Sequence, residues 1–176
     1  VGYTAAFSEA VTDFVIGDLT VTGGTASNFV AVSSTVYTFD VTATDNSIAD
    51  ITVDIAASAA IDANANVSVI ATQATQVVDT TNPTVTLADD QVSTADDADA
   101  VVGYTATFSE AVTGFVIGDL NVSGGTASNF AGSGTTYTFD VTATDGSIAD
   151  ITVDIAAGAA DDVAGNASIV ATQANQ

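Results

Sequence analysis

The sequence has no lysine, arginine or histidine, so its 22 aspartate and glutamate residues give a formal charge of −22 at pH 7. Every carboxylate therefore lacks a cationic side chain that would neutralise it, and their repulsion opposes a compact fold unless cations come from solvent. A surface of this charge also repels phosphate groups. We therefore expect neither nucleic acid nor an anionic membrane surface as a partner.

Cysteine is absent too, which excludes disulfides and thiolate metal sites. Without His, Cys, Lys or Arg, acid–base catalysis would depend on a carboxylate pair alone, as in glycosidases, and we predict no enzyme. No apolar run approaches the roughly 20 residues that cross a bilayer, so no membrane insertion is expected. The chain is nevertheless rich in apolar residues, since 47% of its residues are hydrophobic, and a sizeable core is possible.

What the chain does contain is a long internal repeat. The segment VGYTAAFSEAVTDFVIGDLTVTGGTASNF (1–29) returns as VGYTATFSEAVTGFVIGDLNVSGGTASNF (102–130), at an offset of 101 residues. The segment at 37–57 returns at 137–157, at an offset of 100. A period of this length is too long for a solenoid and matches one globular domain per copy.

Each copy shows the two-residue period of β-strands. Tyr137, Phe139 and Val141 alternate with threonine and aspartate, which predicts one apolar and one solvated face. Gly, Asn, Asp and Ser separate such runs, and no segment has a helical apolar stripe. The aromatic residues fall on the inward phase, and we interpret them as core.

Seven or so short strands in roughly 100 residues are typical of an antiparallel sandwich of immunoglobulin type. We predict an all-β fold of two tandem immunoglobulin-like antiparallel β-sandwiches, repeat one at 1–78 and repeat two at 79–176. Nothing before Val1 corresponds to residues 83–101. We therefore expect the sequence to be a window of a longer chain, with repeat one lacking its opening strand in it.

Three segments in order resemble a known family: the linker DTTNPTVTL, the run FSEAVTGFVIGDLNVSGGTASNF, and GTTYTFDVTATDGSIADITVDIAAGAADDVAGN. Together they are similar to the bacterial immunoglobulin-like repeats of large secreted biofilm adhesins of the BapA type. The resemblance implies a tandem extracellular module that extends an adhesin from a bacterial surface, often with calcium at the junctions. It does not identify the surface to which an adhesin would attach.

Acidic residues gather where the sandwich topology is expected to converge. With strand A at 83–88, strand B at 101–109 and strand F at 148–157, the linker (79–82), a turn at Glu110 and the loop at 161–166 should lie at one pole. Such carboxylates raise one another's pKa without a cation, whereas Ca²⁺ accepts 6 to 8 oxygen ligands. The predicted calcium ligands are Asp79, Glu110, Asp162, Asn166, Asp45, Asp119 and Asp161.

Structural interpretations stand beside the ligand one. Asp79 would cap a turn in the linker, Asp162 and Asn166 would shape an Asx-turn, and Asp119 would close a local turn. The single proline, Pro83, fixes φ and suits the first residue of an edge strand after a short linker. A further group in the A–B region is either a solvated loop or part of another joint: Asp89, Asp90, Asp96, Asp97 and Asp99.

Two functional hypotheses follow. The first is a calcium-rigidified spacer of a giant adhesin, with neighbouring repeats of the same chain as partners. The second is a subunit of a filament, sheath or surface layer, in which an identical chain supplies the missing strand of repeat one. A carbohydrate-binding module would need loops that differ between repeats, and the loops differ most at 30–36 and 61–67.

Overall fold

The computed structural model describes residues 1–91, 101–146 and 149–171, together with the backbone of 174–175. The chain divides into two compact units, Val1–Thr81 and Asn82–Gln176. Within the described residues each unit is built of antiparallel strands with one short 3-10 turn. The predicted all-β fold class is confirmed.

The first unit is a sandwich of two three-stranded sheets. One sheet has the order β1-β5-β4 and the other β3-β6-β8, and β2 pairs with β7 at one end. A 3-10 turn at Ile16–Asp18 precedes β3. The strands are β1 (Gly2–Ala6), β2 (Val11–Thr12), β3 (Leu19–Thr22), β4 (Gly24–Ala31), β5 (Val36–Ala43), β6 (Ile51–Ile55), β7 (Ile61–Asp62) and β8 (Ala74–Gln76).

The second unit repeats this plan with one more strand. β9 pairs with β10 on the edge opposite to β12, so one sheet has the order β9-β10-β12, and the other is β11-β13-β15. β14 pairs with the end of β10. The strands are β9 (Val85–Asp89), β10 (Val101–Thr113), β11 (Leu120–Ser123), β12 (Gly125–Ala143), β13 (Thr152–Ile155), β14 (Asp161–Asp162) and β15 (Ala174–Asn175).

An apolar core lies between the two sheets of each unit. The alternating residues Tyr137, Phe139 and Val141 are 5%, 1% and 0% exposed, which confirms the predicted inward face of that strand. Phe115 packs edge-on against the ring of Tyr137, with ring centroids 5.1 Å apart. The same ring pair recurs in the first unit between Phe14 and Tyr37, also at 5.1 Å. The repeat in sequence is therefore a repeat of core packing.

Two tyrosines of each core differ in what their hydroxyls do. Tyr37 and Tyr137 donate to the backbone oxygens of Val11 and Val112, at 3.3 and 3.1 Å. The buried hydroxyls of Tyr3 and Tyr104 have no hydrogen-bond partner among the described residues. Burial, reinforced by Asp89 and Asp90, raises the pKa of Tyr104 to about 12.

Several predicted boundaries are wrong. Glu110 lies inside β10 rather than in a turn, because β10 continues past an irregularity between Thr107 and Val112 and then pairs with β14. Asp161 and Asp162 form that short strand rather than a loop. The strand expected at 148–157 is shorter, at Thr152–Ile155, and the opening strand begins at Val85.

Candidate metal centre

Strand pairing positions two of the predicted ligands on neighbouring strands. Val112 of β10 pairs with Asp162 of β14, and Glu110 precedes Val112 by two residues on the same strand. Because residues i and i+2 lie on the same face of a strand, this pairing brings Glu110 toward Asp162. Asp162 is 5% exposed, and Glu110 is half-buried.

A tight turn holds the Asp162 carboxylate in place. Its Oδ1 accepts a hydrogen bond from the Asn166 backbone N–H at 2.8 Å, and its Oδ2 accepts one from the Asn166 side-chain amide at 2.9 Å. Burial acts to raise the pKa of Asp162, but hydrogen bonds from Asn166, Gly165 and Ala164 outweigh it and lower the pKa. The carboxylate therefore stays ionised although it is buried.

The equivalent turn of the first unit is built in the same way. Asp62 accepts hydrogen bonds from the backbone and the side chain of Asn66, each at 2.8 Å, and one from the backbone of Asn64. The Asn66 side chain makes the largest contribution to lowering the pKa of Asp62. The Asx-type turn is thus a structural element of both repeats, as the alternative interpretation of these residues predicted.

Two carboxylates meet within the second unit. One oxygen of Glu110 lies within 4.8 Å of one oxygen of Asp162. Ligands on opposite sides of a calcium ion are about 4.6–5.2 Å apart, because Ca–O distances are 2.3–2.6 Å. A separation of up to 4.8 Å is therefore compatible with two oxygens that share one calcium ion.

The donor set suits a hard cation with oxygen ligands. Carboxylates and amide oxygens are the ligands that calcium takes, while zinc favours His and Cys, which this chain lacks. Magnesium keeps most of its water and a strict octahedron. No lysine, arginine or histidine is present in the chain to balance the charges of Glu110 and Asp162.

The other predicted ligands are placed differently. Asp119 Oδ2 accepts a hydrogen bond from the Val116 backbone N–H at 2.8 Å and so closes the 3-10 turn at Ile117–Asp119. Asp161 is exposed, and its backbone oxygen accepts from the Thr113 hydroxyl at 3.4 Å. Asp45 is exposed in the connection between β5 and β6 of the first unit. None of the three belongs to the carboxylate group around Glu110.

Asp79, the predicted ligand in the linker, makes a structural contact. Its Oδ1 accepts a hydrogen bond from the Thr81 backbone N–H at 3.0 Å, as expected of an aspartate that caps a turn.

The sequence analysis did not predict the hydrogen bonds that two linker residues make. In the first unit, the Thr80 hydroxyl donates to Thr44 O at 2.7 Å and accepts from Ser47 N at 2.9 Å. In the second unit, the Asn82 side chain donates to Ala167 O at 2.8 Å, and Pro83 is fully buried. No local motif marks these residues, since their partners are 33 to 85 positions away.

The acidic group of the A–B region is described only in part. Asp89 accepts from Gln91 N at 3.1 Å, and Asp90 accepts from Gly103 N at 2.9 Å. These are local structural hydrogen bonds. Asp96, Asp97 and Asp99 lie outside the described residues.

Comparison with known families also finds two repeats in the chain. The family model described as bacterial Ig-like domain matches residues 3–78 and again residues 79–176. The chain belongs to the bacterial Ig-like domain family. The predicted bacterial immunoglobulin-like tandem repeat is therefore confirmed, while the likeness to BapA-type adhesins stays a prediction. No curated protein and no solved structure matches the chain.

Bacterial Ig-like domains are commonly non-catalytic surface repeats, and they are often extracellular. In the ranges that the structure covers, no helix has the length and apolar character needed to cross a bilayer.

Proposed function

We propose that this pair of bacterial Ig-like domains is a non-catalytic extracellular spacer in a large bacterial surface adhesin or matrix protein, and that calcium stiffens it. Asp79, Glu110 and Asp162 supply carboxylate ligands, and Asn166 orients Asp162. The partners are neighbouring repeats of the same chain. The observation that carries the proposal is the approach of the Glu110 and Asp162 carboxylates within 4.8 Å in a chain with no cationic side chain.

Electrostatics favour a bound cation at this group. Carboxylates this close together repel one another, and hydrogen bonds lower the pKa of Asp162 so that its charge is retained. A divalent ion removes this repulsion and replaces the missing counter-charge. Calcium in secreted modules binds with dissociation constants of about 10⁻⁴ to 10⁻³ M, within reach of extracellular calcium.

The linker contacts support a mechanical role. Thr80 is hydrogen-bonded within the first unit, and Asn82 within the second, so Thr81 is the one residue between two anchored neighbours. A short linker that contains a buried proline can adopt few conformations, so restricting it further costs little conformational entropy. A metal ligand at Asp79 would restrict that segment further, which is the property that a spacer needs.

Small-angle scattering of the 176-residue chain tests the proposal. We expect calcium to narrow the distribution of interatomic distances and a chelator to broaden it again. Glu110→Gln should remove the calcium response, while Glu9→Gln, the equivalent change in repeat one, should keep it. Identical profiles with calcium and with chelator would contradict the proposed stiffening.

A further inference from the structure

We propose that Asn121 on β11 is an acceptor site for N-linked carbohydrate. The substrate class is an oligosaccharide carried on a lipid diphosphate. The Asn121 Nδ2 atom bonds to the anomeric carbon of the first sugar and loses one proton, while the lipid diphosphate leaves. No oxidation or reduction takes place, and none of the proposed calcium ligands takes part.

The sequence contains three motifs of the type that accepts N-linked sugars. Such a motif is Asn-x-Ser or Asn-x-Thr in which x is not proline. It occurs at 66–68, 121–123 and 166–168, whereas Asn-Pro-Thr at 82–84 is excluded by its proline. The three motifs differ in what their side chains already bind.

The motif at 166–168 is closed by its own turn. The Asn166 side-chain amide donates to Asp162 Oδ2 at 2.9 Å, so the nitrogen that would bond to a sugar is already held. Ser168 is 2% exposed, and its hydroxyl accepts a hydrogen bond from Ala160 N at 3.2 Å. A transferase that recognises both the asparagine and the serine therefore finds both side chains engaged.

The equivalent motif of the first unit is held in the same way. The Asn66 side-chain amide donates to Asp62 Oδ2 at 2.8 Å. The Ser68 hydroxyl accepts a hydrogen bond from Ala60 N at 3.1 Å. A sugar on this motif would have to replace hydrogen bonds that both repeats make.

The motif at 121–123 lies in an open position. Asn121 and Ser123 are both exposed on β11, and they share one face because side chains two residues apart in a strand point the same way. Val122 lies between them and packs against the core. The side chains that a transferase recognises therefore face solvent, and an attached sugar displaces no core contact.

β11 is also an edge strand. Among the described residues it pairs with β13 alone, and Asn121 lies opposite Asp154. A short strand with one partner opens locally at a lower free energy than a central strand, which lets a transferase bind the motif as a separate peptide. A bulky sugar beside the unpaired edge would also hinder its pairing with another strand.

The first unit offers a matched position that lacks the motif. Thr20 of β3 is the counterpart of Asn121 by the offset of 101, and it lies opposite Asp54 as Asn121 lies opposite Asp154. Thr20 and Thr22 are both exposed, and β3 is the edge strand of its sheet. Thr20→Asn therefore completes an acceptor motif on an equivalent strand.

Transfer of a sugar in vitro tests the proposal. The folded 176-residue chain is incubated with a purified single-subunit oligosaccharyltransferase and a lipid-linked oligosaccharide, and the product is analysed by intact mass and peptide mapping. We expect a gain of one oligosaccharide, located at Asn121. Asn121→Gln and Ser123→Ala should each abolish this gain, and Thr20→Asn should add a second oligosaccharide.

Absence of transfer to Asn121 in the unaltered chain would overturn the proposal, and so would transfer to Asn66 or Asn166 in the folded chain. A Thr20→Asn chain that gains no second sugar would contradict the argument from the exposed edge strand. The three substitutions change exposed side chains, so the circular dichroism spectrum should stay that of the unaltered chain. The outcome is independent of whether the chain binds calcium.

Discussion

Replacing the two kinds of buried tyrosine by phenylalanine should change the stability of the protein in opposite directions. Tyr137→Phe removes a hydroxyl that donates to Val112 O at 3.1 Å, and a net loss of about 1 kcal/mol is expected. Tyr104→Phe removes a hydroxyl that is buried, with the residue 1% exposed, and without a partner among the described residues. A buried polar group that makes no hydrogen bond costs about 1–3 kcal/mol, so this change should stabilise the second unit by about 1 kcal/mol.

Amide hydrogen exchange followed by NMR is the suitable assay. Unfolding of a two-unit chain need not be two-state, so a single denaturation curve would mix the units. The slowest amides of β10 and β12 report on the second unit, and those of β5 serve as an internal control. A change of about 1 kcal/mol alters protection about fivefold, upward for Tyr104→Phe and downward for Tyr137→Phe.

The reasoning would be refuted if both substitutions lowered protection equally. That result would mean that the Tyr104 hydroxyl is hydrogen-bonded in solution. Its pKa of about 12 gives an independent check, since a spectrophotometric titration should show one tyrosine that ionises well above the ordinary value of 10.0.

Two other predictions concern acid stability and a turn. Burial acts to raise the pKa of Asp162, but hydrogen bonds lower it below 3.8. The stability that this carboxylate contributes is therefore fully present above pH 3.8 and is lost as the pH falls through the folded-state pKa. Asp162→Asn should flatten the acid-unfolding profile in this pH range, and an unaltered profile would contradict this. Gly124 has φ +77°, and a Cβ there would collide with the backbone oxygen of Asp150. Gly124→Ala should therefore cost at least about 1 kcal/mol in thermal unfolding, whereas Gly118→Ala, which meets nothing within 4 Å, should be near neutral.

The fold was predictable because its signals are local and repeated. Alternation at Tyr137, Phe139 and Val141 gave the strand and its inward face, and the long repeat gave two domains. The β10–β14 pairing was not predictable, because it depends on an irregularity after Thr107 and on a two-residue strand. Neither feature changes the alternation of apolar and polar residues in the sequence.

Membership of the candidate site was predictable only in part, and its metal stays a prediction. Two of the predicted ligands, Glu110 and Asp162, lie close together in the second unit. Asp119 was indistinguishable from a ligand in sequence, yet its carboxylate caps its own turn. Only the backbone geometry separates an aspartate that closes a turn from one that faces a shared site.

A calorimetric titration of the whole chain with calcium tests the central claim most directly. The account predicts saturable binding that Glu110→Gln weakens by about tenfold or more, since affinity follows the number of charged ligands, and that Glu9→Gln leaves unchanged. Equal affinities for Glu110→Gln and the unaltered chain, or no saturable binding at millimolar calcium, would contradict it.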